Sequence, residues 1–93
     1  MRIIKESPVG LDKFLADEMP SRFFGTFSSS RGKSHFSMMS NIEIQLSHGT
    51  MHVEILDYDM GIDISTHDIR SWKRDKDTLT MIGSDGALFK LTW

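Results

Sequence analysis

The sequence predicts an α+β fold in which one N-terminal helix packs on a bent antiparallel sheet or a small open β-barrel of five to six strands. Apolar and polar residues alternate in 42–46, 51–55, 78–81 and 89–93. Successive side chains of a strand point to opposite faces of the sheet, so alternation of this kind is typical of half-buried strands. We therefore expect an antiparallel meander with one face in the core and the other in solvent.

The chain length limits this fold to one domain. A chain of 93 residues can bury one modest core and leaves no room for a second. We therefore treat 1–93 as a single domain.

The N-terminal part contains the helix signals. Residues 2–5 could form a short strand, and Ser7 and Pro8 suit the N-cap and first position of a helix. The helix is expected over about 8–19, because Pro20 ends the pattern. Its apolar face would consist of Leu11, Phe14, Leu15 and Met19.

Turn signals divide the rest of the chain. Segment 28–34 is rich in serine and reads as a basic loop, and 73–77 reads as a charged turn. Segments 47–50 and 84–86 predict hairpin turns, the first with its glycine at positive φ, and 57–61 predicts a further turn.

Composition excludes several classes of protein. Without cysteine, the chain has no disulfide framework, no thiol nucleophile and no cysteine-based zinc site. The net charge of −2 argues for neither nucleic acid nor membrane as a partner. The N-terminus lacks the apolar stretch of a signal peptide, and no apolar run approaches the length of a membrane span. We therefore expect a cytoplasmic protein without a membrane partner.

The motifs that would indicate a cofactor, a metal or catalysis all fail in detail. The triplet Gly32-Lys33-Ser34 resembles the end of a phosphate-binding loop, but position 27 is Phe where that loop needs glycine. The acidic residues of 57–68 are spaced roughly as in a calcium loop, but Gly61 and Ile62 occupy the places of a ligand and of the essential glycine. His48 and His52 are four residues apart, a spacing that aligns metal ligands on a helix, but this segment is predicted to be a hairpin. We predict no catalytic residue, no cofactor and no metal, and hence no enzyme.

Two segments of opposite charge remain as the candidate binding surface. Residues 54–68 contain five acidic residues and no Lys or Arg, whereas 70–76 is basic around one tryptophan. Arginine beside an aromatic residue is typical of protein hot spots and of stacking on nucleic-acid bases. The sequence leaves open whether the tryptophan belongs to the core or to the surface. The predicted partner-binding residues are Arg70, Trp72, Lys73 and Arg74, with Arg31 and Lys33 as a second element.

The sequence supports two functional hypotheses. The first is a small non-catalytic protein-binding or inhibitor module that acts through its charge-polarised surface. The alternative is a small β-barrel that binds RNA or single-stranded DNA. Salt separates the two, because binding to phosphates weakens steeply as salt rises.

Overall fold

The computed structural model describes residues 9–93. The predicted strand at 2–5 and the predicted cap at Ser7 and Pro8 lie outside the described residues. One short helix precedes a single antiparallel sheet. The elements are α1 (Leu11–Asp17), β1 (Arg22–Arg31), β2 (Ser34–Ser47), β3 (Thr50–Ile55), β4 (Met60–Ser65), β5 (Ile69–Asp75), β6 (Thr78–Gly83) and β7 (Leu88–Thr92), with 3₁₀ turns at Leu56–Tyr58 and Thr66–Asp68.

The sheet curls into a half-barrel because of one short connection. Its strand order is β4-β3-β2-β1-β7-β6-β5, so β4 and β5 are the two edges of the sheet formed within residues 9–93. Seven flat strands would place these edges about 29 Å apart. The chain from Ser65 to Ile69 can span at most about 14 Å. The sheet must therefore bend until the end of β4 meets the start of β5.

Two hydrogen bonds hold this connection against the β2–β3 hairpin. Thr66 is fully buried, and both its backbone N–H and its hydroxyl donate to the carbonyl of Gly49, over 2.8 and 3.0 Å. His48 and Gly49 form the two-residue turn of the hairpin, at φ 51° and 78°. The predicted turn with a glycine at positive φ is confirmed.

The core lies inside the curl and under the helix. The register pairs Leu79 with Leu91 and Met81 with Phe89, so these side chains share one face as the alternation predicts. The helix is too short to be stable alone and depends on packing. Its contribution to the core is the buried set Leu11, Phe14 and Leu15.

The general arrangement of a helix on a bent antiparallel sheet is confirmed, but the described residues form seven strands where five or six were expected. The predicted loop at 28–34 is mostly strand, and only Gly32 and Lys33 form its turn. The predicted turn at 73–77 reduces to residues 76–77, since β5 runs to Asp75. The helix starts later than predicted, because its N-cap Gly10 has a left-handed φ of 82°, and it ends at Asp17, two residues before Met19.

Candidate functional site

The predicted basic surface lies on β5, an edge strand with a β-bulge. The register shifts between Ile69 and Ser71, which leaves Arg70 as the extra residue of the bulge. Beyond it, Trp72 pairs with Met81, and Lys73 pairs with Thr80. The bulge therefore decides which of the predicted residues face the core and which face solvent.

Trp72 lies on the inner face and holds the start of the helix. Its ring is half-buried and stacks on Phe14, with the ring centroids 5.5 Å apart. Its indole N–H donates to the carbonyl of Val9 over 3.1 Å. The tryptophan thus packs as part of the fold, with one side still in contact with solvent.

Arg74 lies on the same face and fixes the other end of the helix. Its guanidinium lies 5.1 Å from the centroid of the Phe14 ring and donates to Glu18 over 3.1 Å. The guanidinium over the ring is a cation–π contact. Trp72, Phe14 and Arg74 therefore form one stack that fastens α1 to β5.

Arg70 and Lys73 remain exposed on the edge of the sheet. Neither forms an ion pair or a side-chain hydrogen bond with another residue of the described range 9–93. The outer edge of β5 also has no strand partner within that range. An edge strand presents unpaired backbone N–H and C=O groups, so this edge offers hydrogen bonds and positive charge together.

The second basic element lies at the tip of the β1–β2 hairpin, beside the start of β5. Arg31 forms an ion pair with Asp85 at 2.8 Å, and Lys33 is exposed in the turn. A cavity of about 320 Å³ opens at this end of the half-barrel. Arg31, Asp68 and Ile69 are among the residues that line it. The structure thus brings Arg31 close to the beginning of β5 and leaves Trp72 and Arg74 with the helix.

The opposite side of the sheet, formed by β3, β4 and the turn between them, is acidic. On the outer face, His52 Nδ1 lies 2.5 Å from a carboxylate oxygen of Asp63, and His52 Nε2 lies 3.7 Å from one of Glu54. The hydrogen bond to Asp63 raises the pKa of His52 above 6.5. Hydrogen bonds from the backbone and side chain of Asn41 lower the pKa of Asp57 below 3.8, because they stabilise its charged form.

Two surface features were missed by the sequence reasoning. The histidine–carboxylate group depends on the β3–β4 register, which pairs His52 with Asp63. Phe24 and Met39 lie on the outer face, and their side chains are 60% and 62% exposed. Residues 28–34 were predicted as a loop. A prediction of two strands joined by a turn at Gly32 and Lys33 would have placed Phe24 and Met39 on the same face of the sheet.

No group of three or more His, Asp or Glu residues within 9–93 is arranged to hold a metal ion. In the same part of the chain, no helix is both long and apolar enough to cross a bilayer. Comparison with family models, with curated proteins and with solved structures finds no match to this chain.

Proposed function

We propose that this protein is a small non-catalytic binding module that adds an extended acidic segment of another protein to the edge of β5. The observation that carries the proposal is the position of β5 at the end of the sheet with Arg70 and Lys73 exposed on it. Addition of a strand to a free edge is a common mode of peptide recognition, in which main-chain hydrogen bonds provide affinity and side chains provide specificity.

The charges of the edge favour an acidic partner over a second basic strand. Like charges directly opposite each other destabilise a strand pair, and opposite charges stabilise it. Lys73 and Arg70 would therefore discourage self-pairing of this edge and select a segment with alternating carboxylates. Lys33, which is exposed in the β1–β2 turn, would add positive potential and speed the encounter, whereas Arg31 is already paired with Asp85.

The arrangement of Trp72 gives the nucleic-acid alternative less support. Stacking on bases requires an accessible aromatic face. The Trp72 ring is already stacked on Phe14, and Arg74 is engaged with Glu18. The cations of β5 without an ion pair among residues 9–93 are Arg70 and Lys73, which suit carboxylates as much as phosphates.

The proposal can be tested with a fluorescent peptide of alternating glutamate and valine, matched to the 7 residues of β5. Binding is measured by anisotropy, with a proline-substituted peptide of equal charge and a single-stranded oligonucleotide as comparisons. We expect the alternating peptide to bind and the proline peptide to fail, since proline removes a ladder hydrogen bond.

A charge reversal identifies the surface. Lys73→Glu should weaken peptide binding about tenfold or more, as expected for a reversed charge opposite a carboxylate. The matched control is Lys13→Glu, which makes the same charge change on the exposed side of α1. Equal binding by both variants would contradict the proposed edge. Tight binding of the oligonucleotide with steep salt dependence would favour the alternative function.

A further inference from the structure

A second interaction surface lies on the outer face of the central strands. Phe24 and Met39 project from β1 and β2, each of which has a strand on both sides. The register pairs Phe24 with Asn41 and Met39 with Thr26, so the two apolar side chains are diagonal neighbours. With 60% and 62% exposure they form the apolar centre of a mostly polar face, which also carries Leu88, 39% exposed, on β7. Exposed apolar centres with polar surroundings are typical of protein interfaces.

The charges on this face lie at two opposite corners. Glu43 lies opposite Glu54 on β3 and is bonded to Arg22 on β1, and the cationic group beside Glu54 is His52, whose Nε2 lies 3.7 Å away. Two carboxylates therefore meet one permanent cation at this corner. At the other corner, Lys90 and Lys73 lie in one row, both opposite the same residue of β6. The face is therefore negative at one corner and positive at the other.

The apolar centre lies midway between the corners. The row of paired residues that contains Glu54 and Glu43 includes Arg22 on β1. The row that contains Lys90 includes Ser28 on β1, about 20 Å further along the strand. Phe24 lies between these rows, and Met39 lies opposite Thr26 in the same interval. Consider a two-fold axis that passes through this centre, lies in the plane of the face and is perpendicular to the line between the corners. This axis places the acidic corner of one copy opposite the basic corner of the other.

We propose that two copies of this chain associate through this face, with Phe24 and Met39 at the centre of a two-fold interface and Glu54 of each copy opposite Lys90 of the other. A surface that complements itself under a two-fold axis is what an isologous dimer requires. The charges select a second copy because both halves of the required pattern occur on this one face. Lys73 lies in the basic corner and also at the edge of β5, but the pair that joins the two copies is Glu54 with Lys90, so the proposed dimer does not depend on the proposed peptide binding.

The outer face of a curled sheet is convex, which limits the area of contact. A standard interface buries about 800 Å² from each partner, roughly an eighth of the 6121 Å² surface of the protein. We therefore expect a weak dimer, with association seen between about 1 μM and 1 mM. Sedimentation equilibrium of the unmodified protein over that range measures it directly. A protein that stays monomeric throughout would overturn the proposal.

The apolar centre is tested by Met39→Glu. Because Met39 lies near the axis, this substitution places two carboxylates close together and should raise the dissociation constant about tenfold or more. The matched control is Val9→Glu, since Val9 is 97% exposed and lies outside the face. An unchanged dissociation constant in the Met39 variant, with the fold intact by circular dichroism, would show that association uses another surface.

The charge arrangement is tested by mixing two variants. In a dimer of the Lys90→Glu variant, two carboxylates meet at each contact. In a dimer of the Glu54→Lys variant, two lysines meet at each contact. When the two variants are mixed, both contacts of the heterodimer again join opposite charges. We expect each variant alone to dissociate and the mixture to recover the association of the unmodified protein. Failure of the mixture to recover would contradict the proposed pairing.

Discussion

Replacing Trp72 with alanine tests how the helix is attached to the sheet. The substitution removes the ring stacked on Phe14 and the hydrogen bond from the indole to the carbonyl of Val9. The hydrophobic part of α1 would then lose the side chain that fastens it to β5. Because a seven-residue helix depends on such packing, the effect should appear in the stability of the whole domain.

The magnitude follows from these contacts. Truncation of a fully buried tryptophan costs about 3–5 kcal/mol, and Trp72 is half-buried, which reduces the burial term. The aromatic pair contributes about 0.5–1.5 kcal/mol and the hydrogen bond about 1 kcal/mol. We expect Trp72→Ala to lower the free energy of unfolding by about 2–4 kcal/mol. For a domain of this size the corresponding fall in Tm is about 10–25 °C.

Urea unfolding followed by circular dichroism measures this loss, and Trp93 remains as a fluorescence probe. Two further variants separate the contributions. Trp72→Phe keeps the stacking and should cost about 1 kcal/mol through the lost hydrogen bond. Lys73→Ala changes the next residue of the strand, which faces solvent, and should stay within about 0.5 kcal/mol. A Trp72→Ala protein as stable as the unmodified one would refute the role assigned to the stack.

Two further predictions concern the hairpin turns and the charged group on β3 and β4. Gly49→Ala should cost about 1–3 kcal/mol in urea unfolding, because φ is positive there and the new methyl group would collide with the His67 ring. Gly32→Ala, also at positive φ but with no atom nearby, should cost less, and equal losses would contradict the collision. Because the folded pKa of His52 is raised, its contribution to stability is present below pH 6.5 and is lost as the pH rises through the folded value. Asp63→Asn should remove most of this dependence in unfolding curves recorded from pH 5 to 9, and a variant that keeps it would assign the dependence to another group.

The sequence carries enough information for the strands that bury one face. The alternation around Ile44, Val53, Leu79 and Leu91 is local, because each of these strands packs one row of side chains into the core. By contrast, the stretch 28–31 is polar on both faces. It forms strand because its partners on β2 and β7 satisfy its backbone hydrogen bonds, and the hydroxyls of Ser28 and Ser37 add a side-chain contact of 3.1 Å. Such a strand has no periodic signal of its own.

The curl of the sheet also lay beyond local patterns. The short β4–β5 connection bends the sheet only because β1 pairs with β7, which puts β4 and β5 at opposite edges, and this pairing sets Thr26 opposite Thr92 near the other end of the chain. Within the candidate site, the charges of Arg70 and Lys73 did predict exposed residues. The inward position of Trp72 did not follow from alternation, because the bulge at Arg70 places Ile69 and Trp72 on the same face although they are three residues apart.

The central claim is that the edge of β5 receives an acidic extended segment. Amide hydrogen exchange, with and without the alternating glutamate–valine peptide, tests it at the level of single strands. New main-chain hydrogen bonds should slow exchange in Ile69–Asp75 and leave Met60–Ser65, the edge on the opposite side of the sheet, unchanged. Exchange in Ile69–Asp75 that is unaffected at saturating peptide, or slowed only in Met60–Ser65, would contradict the account.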